Sequence, residues 1–233
     1  MRTHPPSRAE RPRRRSGSDR PRAALAPVCL TLSVLIFATA AAAETEGRSD
    51  GLTPEALETA LIDVTAGEGE GATTLGGRRG AGGLVVVFLS NTCPYVVDWA
   101  DRIPQLAAQA AERGVGVALV NSNAGKRRAT DSPEEMGRFA EKHLGELPYL
   151  LDEGAKLADL VGAERTPEAF LYDAELKLVY RGPFDDHSGP FDRVTQPGLR
   201  DAVAALAAGV DGPESQPALG CKVQRPRRRA TRQ

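Results

Sequence analysis

Cysteine is scarce: the 233-residue chain holds three, Cys29, Cys93 and Cys221. They are too few and too far apart for a disulfide scaffold, or for a structural zinc site, which needs about four clustered ligands. Histidine is equally sparse, with three in the chain. The stretch Asp185-Asp186-His187 reads as a cap where a hairpin runs into a loop, because one histidine beside two acids makes no convergent metal or acid–base site. No metal and no cofactor is expected. Positive charge is also short where a nucleic-acid binder would need it: from Glu44 to Cys221 there are 16 basic against 29 acidic groups. An acidic body argues against nucleic acid as the partner. No internal repeat is evident, and 41% hydrophobic content suits one packed domain.

One long apolar run is present. Residues 23–43 read AALAPVCLTLSVLIFATAAAA behind an Arg-rich flank, closing in Ala41-Ala42-Ala43 before Glu44. This is the pattern of a signal peptide with an A-x-A-like cleavage site over residues 1–43. It predicts an exported protein, periplasmic or secreted, with Cys29 removed. The alternative is an N-terminal membrane anchor, since the run approaches the ~20 residues that cross a bilayer, and that uncleaved anchor would be the only membrane contact.

Residues 44–82 predict an N-terminal extension with a short helix over 53–62 and a small hairpin in the Gly-rich stretch 67–83. Residues 84–89 (LVVVFL) are a continuous β-branched run, the signature of a central strand covered on both faces. A helix over 96–110 follows, kinked at Pro104. Next come a strand at 115–120, a polar loop at 121–131 and a helix from Ser132-Pro133-Glu134-Glu135 to His143. Residues 148–152 are extended, 154–161 a short helix, 169–172 and 177–181 a hairpin, and 198–208 a final helix. Strands alternating with helices and ending in a hairpin give an α/β domain over 83–210, a mixed sheet with helices on both faces. Residues 211–233 are a tail carrying Cys221 and a basic end, Arg225 to Arg232, which is read as solvated and is assigned no function.

Cys93 lies in Asn91-Thr92-Cys93-Pro94-Tyr95-Val96, between the end of the central strand and a helix that Pro94 begins. A cysteine there meets free backbone N–H groups and the positive end of the helix dipole, both of which favour thiolate over thiol. Such placements lower a cysteine pKa from ~8.5 into the range of roughly 3.5–7.5. The alternative is a buried, inert cysteine. Polar Ser90, Asn91 and Thr92 before it and Pro94 after it argue for the reactive reading.

A strand ending in such a cysteine, followed later by Arg165-Thr166-Pro167-Glu168 at the start of a hairpin, resembles the thioredoxin-like superfamily. VVVFLSNTCPYV, VNSN, LPYLLDE, TPEAFLYD, LVYRGPFDD and GCKV are similar to the redoxin, alkyl-hydroperoxide-reductase-and-thiol-specific-antioxidant-like group, over residues 60–223. The resemblance implies a thioredoxin-like fold, with Cys93 as nucleophile and Thr166-Pro167 as a cis-proline loop facing it. Thr92, Pro94 and Tyr95 then lie beside the reacting thiol.

Three departures qualify it. The C-x-x-C motif would place its second cysteine at Val96. Related redoxins often carry a cysteine before Thr-Pro, where this chain has Arg165. The peroxiredoxin pattern P-x-x-x-T-x-x-C is met only by Ser90 in the threonine position, with Val86 at its proline. A copper chaperone would need a second cysteine where Val96 and Val97 stand.

Another thiol must therefore resolve an oxidised Cys93, and Cys221 is the candidate if its tail folds back to within disulfide reach. Arg165 is expected near Cys93, where its fixed charge would lower the thiolate pKa or orient a peroxide or carboxylate. The chain reads as an exported thiol oxidoreductase acting on peroxide or disulfide, partnered by an external thiol reductant or a disulfide-bearing protein. The alternative is a non-catalytic binding module stapled by a structural Cys93–Cys221 disulfide.

Overall fold

The computed structural model describes residues 51–67, 71–187, 193–196 and 198–226. The signal peptide with Cys29, part of the Gly-rich stretch and the basic end beyond residue 226 lie outside them. In chain order the helices are α1 (Pro54–Leu57), α2 (Pro94–Trp99), α3 (Ile103–Ala111), α4 (Pro133–His143), α5 (Lys156–Val161) and α6 (Gly198–Ala208). The strands are β1 (Leu61–Asp63), β2 (Ala72–Thr73), β3 (Gly83–Leu89), β4 (Val115–Asn121), β5 (Tyr149–Leu151), β6 (Arg165–Thr166), β7 (Glu168–Tyr172), β8 (Leu178–Gly182) and β9 (Cys221–Lys222).

Seven strands form a sheet in the order β2-β1-β5-β4-β3-β7-β8, and β6 and β9 form a separate ladder. The pairs β3–β4 and β4–β5 are parallel, while β3–β7 and β7–β8 are antiparallel. This is the mixed α/β sheet of a thioredoxin-like fold. Every residue of β3 is buried. Because successive side chains of a strand point to opposite faces, Val85, Val87 and Leu89 enter one apolar core and Leu84, Val86 and Phe88 the other. Helices α2, α3, α4 and α6 cover the first face, and α1 and α5 the second.

Two expectations change. The helix expected over 53–62 stops at Leu57, because residues 61–63 pair with Leu150 and Leu151 and join the sheet. The extension is thus part of the sheet, with β2 paired to β1 at its edge. The kink at Pro104 is a full break: α2 ends at Trp99, a 3-10 turn spans Ala100–Arg102, and Pro104 opens α3 in its first turn, where a missing N–H costs nothing.

Trp99 fixes α2 against the sheet. It is buried, its ring stacks on Phe184 at 6.0 Å between centroids, and its Nε1–H donates to the His187 carbonyl at 2.8 Å. Beside it Arg102 pairs with buried Asp185, whose other oxygen accepts from the His187 N–H. The Asp185-Asp186-His187 stretch is thus committed to structure. Phe184→Ala should lower stability by about 3–5 kcal/mol, read by denaturant unfolding through the fluorescence of Trp99, the single tryptophan. A loss below about 1 kcal/mol would show that the stack does not hold α2 in place.

Candidate active site

The buried strand β3 delivers the chain to Ser90, and Cys93 then stands as the N-cap of α2, with Pro94 as the first helical residue. The Cys93 carbonyl accepts the Val97 N–H at 3.0 Å, closing the first turn. The thiol, however, takes no hydrogen bond from the helix N–H groups expected to meet it. In this reduced state it acts as a donor, to the Thr166 carbonyl at 2.9 Å. Cys93 is 1% exposed.

Thr166 is buried, and the Thr166–Pro167 peptide is cis. What lies over the sulfur is the C-terminal tail. It folds back so that β9 runs antiparallel to β6, with Cys221 opposite Thr166 and Lys222 opposite Arg165. The half-buried Cys221 packs against the apolar cluster that contains Cys93, near enough for the two thiols to influence each other. Close approach is possible because residue 220 is glycine: its φ is +149°, and a Cβ there would lie 2.1 Å from the Thr166 oxygen.

The tail is anchored on both sides of Cys221. Val223 N–H donates to Glu164 O at 2.9 Å, Gln224 N–H to Asn123 Oδ1 at 2.8 Å, and Gly125 N–H to Gln224 O at 2.7 Å. Arg225 reaches Asp159 and the Ala163 carbonyl. The basic end expected to be solvated is therefore docked at Arg225.

The Arg165 guanidinium donates to Gly220 O at 2.9 Å, so its side chain holds the tail beside Cys221. The Ser90 hydroxyl is directed at Asp131. Thr92 is exposed and accepts from Lys126 Nζ at 3.1 Å. Pro94 and Tyr95 form an exposed rim, the Tyr95 ring lying 6.4 Å from that of Trp99.

Two buried carboxylates that the sequence reading did not single out position these loops. Asp131 accepts the Asn91 N–H at 2.9 Å and Asn121 Nδ2 at 2.7 Å. The Tyr149 hydroxyl joins the same cluster, donating to Asn91 Oδ1 at 3.0 Å. Burial pushes the Tyr149 pKa well above the usual range, so it remains a donor. Glu168 does the same for the cis-proline loop: one oxygen accepts the Glu164 and Arg165 N–H groups at 2.7 and 3.0 Å, the other the Arg181 guanidinium. Glu168 closes the Arg165-Thr166-Pro167-Glu168 motif, but nothing local marks its carboxylate as the acceptor for that loop's backbone. Asp131 carried no signal either, because its partners come from distant loops.

The surroundings of Cys221 hold its thiol neutral. Burial pushes the Cys221 pKa up to about 11, with the hydrogen bond to Cys93 and the charge of Cys93 adding to the rise and Lys126 opposing it. Cys221 thus stays protonated through neutral pH. In a Cys93→Ala variant only burial still raises it, so the midpoint for Cys221 alkylation should move down from about 11. An unchanged pH profile would show that the two sulfurs do not sense each other.

Comparison with known proteins agrees with this geometry. The family model described as Redoxin matches residues 55–196. An uncharacterised conserved protein from Geobacillus kaustophilus is 32% identical, with a TM-score of 0.64 over 72% of this chain and 88% of its own. A hypothetical protein from Sinorhizobium meliloti 1021 is 34% identical, with a TM-score of 0.64 over 72% of this chain and 91% of its own. No curated protein matches. A thioredoxin-like fold, a cysteine capping a helix under a cis-proline loop and a family match over most of the described residues lead to one conclusion: the chain belongs to the Redoxin family, and its chemistry is thiol-based redox.

Proposed function

We propose that this protein is an exported thiol–disulfide oxidoreductase in which Cys93 is the nucleophile and Cys221 the resolving thiol. The observation that carries the reading is the β6–β9 ladder, which sets Cys221 opposite Thr166, the residue whose carbonyl accepts from the Cys93 thiol. A thiolate attacks a disulfide in line, and the mixed disulfide is then resolved by a neighbouring thiol. Here the Cys93 thiolate attacks one sulfur of R–S–S–R, giving Cys93–S–S–R and releasing R–S⁻. Cys221 loses its proton to solvent and attacks the Cys93 sulfur, giving the Cys93–Cys221 disulfide and a second R–S⁻. The substrate disulfide is reduced by two electrons and the protein dithiol oxidised by two, and an external thiol reductant restores it.

Peroxide reduction ranks second. The Ser90 hydroxyl bonds to Asp131 and the Arg165 guanidinium to Gly220 O, and ahead of Cys93 the peroxiredoxin pattern is met only by Ser90, in the threonine position. The apolar run at residues 23–43 supports export, to the periplasm or beyond the cell, where an external thiol reductant or a disulfide-bearing protein is the partner. Among the described residues no helix is long and apolar enough to cross a membrane.

The test is steady-state reduction of a small test disulfide by excess dithiothreitol, run beside hydrogen peroxide consumption. The protein should turn over the disulfide faster than the peroxide. Cys93→Ser should fall to the uncatalysed rate, and Cys221→Ser, first reduced, freed of dithiothreitol and then given the test disulfide alone, should hold a mixed disulfide on Cys93 detectable by mass spectrometry. Faster consumption of peroxide would reverse the ranking. No turnover in either assay, with a Cys93 that resists alkylation after reduction, would leave the pair as a static staple.

A further inference from the structure

The charge around the two cysteines runs against the charge of the rest of the chain. From Glu44 to Cys221 acids outnumber bases by 29 to 16, yet the groups flanking the sulfurs are mainly cationic. On one side the Lys126 ammonium is 3.1 Å from the hydroxyl of Thr92, the neighbour of Cys93, and its charge acts on Cys221. On the other, a groove of about 320 Å³ along the β6–β9 ladder is lined by Arg165, Lys222, Arg225, Val223 and a single carboxylate, Glu164.

Some of these charges are already matched. Arg225 is paired with Asp159, and Arg165 donates to the Gly220 carbonyl. Lys126 and Lys222 are exposed, and among the described residues no carboxylate forms an ion pair with either. A second, larger groove of about 780 Å³ begins at Asn91 and Thr92 and repeats the pattern. There Arg138 is held by Glu134 and Glu135, while Arg128 and Lys142 have no carboxylate within ion-pair distance among the described residues. Exposed cations with no ion-pair partner among the described residues therefore stand next to both cysteines, Lys126 on the hydroxyl of Thr92 and Lys222 beside Cys221.

Resting on the oxidoreductase reading, we propose that the disulfide this site reduces carries carboxylates close to its sulfurs, and that Lys126 and Lys222 select it. Opposite charges brought together at a partly open site raise encounter rates and set specificity more than they change the chemical step. The effect is screened over a Debye length of ~8 Å at physiological ionic strength, so it acts only on charges held near the reacting atoms. Carboxylates one or two residues from a disulfide meet that condition. They could belong to a small anionic disulfide or to an acidic segment of a protein, and the chemistry recognised is the same.

The test compares kcat/KM for oxidised glutathione, which bears carboxylates, with that for cystamine, which bears amines, using the full chain and dithiothreitol. Each value is divided by the rate of the same disulfide with dithiothreitol alone, to remove intrinsic reactivity. A matched pair of disulfide-linked peptides flanked by Asp or by Lys separates a small ligand from a protein segment. At low ionic strength the normalised ratio should favour the anionic disulfide on the order of tenfold. It should approach parity near 1 M salt, where the Debye length is ~3 Å. Lys126→Gln with Lys222→Gln should collapse the ratio, and the two Lys→Arg replacements should retain it. Equal normalised rates, or a preference that ignores both salt and the Gln replacements, would overturn the inference while leaving the oxidoreductase intact. If neither disulfide is turned over, the oxidoreductase reading falls and this inference with it.

Discussion

Burial of the Cys93 sulfur beneath the cis-proline loop and the C-terminal strand is the constraint on which the site depends. Cys93 donates to the Thr166 carbonyl, and the ladder between β6 and β9 sets Cys221 opposite that same Thr166. A buried polar group must have its partners, and the Cys93 thiol finds its partner in a segment far away in sequence. The sheet supplies the rest: β3 ends at the cysteine loop, β7 begins at the cis-proline loop, and the two strands are antiparallel neighbours. Glu168, the first residue of β7, bonds the backbone of the preceding loop. Strand pairing and active-site geometry are thus one structure.

In the proposed cycle the same constraint orders the two thiols. With both thiols present, the Cys221 thiol is kept neutral by burial and by its neighbour. Once the Cys93 sulfur enters a mixed disulfide it carries no negative charge, and one of the three influences raising Cys221 disappears. Cys221 is then easier to ionise at the step that needs its thiolate. The missing second cysteine of the C-x-x-C motif, Val96, does not leave the site without a partner. In the proposed cycle the partner is Cys221, which the β6–β9 ladder brings from the other end of the chain.

Much of this was legible in the sequence because the features are local. The uninterrupted run ending at Leu89, the Cys93-Pro94 helix start, the Ser132-Pro133 cap and Thr166-Pro167 before a hairpin each encode a conformation within a few residues. What was not legible depends on contacts across the chain. The carboxylates of Asp131 and Glu168 act on backbone groups in other loops. Arg165 was expected near Cys93, and no local rule says that its guanidinium closes on Gly220. The segment after Leu57 was read as helix because its composition allows one, whereas pairing with β5 makes it a strand. Tertiary pairing overrides weak local preference.

The central claim is that Cys93 and Cys221 form one reversible dithiol–disulfide couple. The most direct measurement is peptide mapping of the protein after one equivalent of a disulfide oxidant, with free thiols blocked before digestion. The account predicts a single intramolecular disulfide joining the peptides of Cys93 and Cys221, lost on addition of excess dithiol and regained on reoxidation. Intermolecular dimers through Cys221 with Cys93 left reduced, or a Cys93–Cys221 bond that native protein never gives up to dithiol, would contradict it.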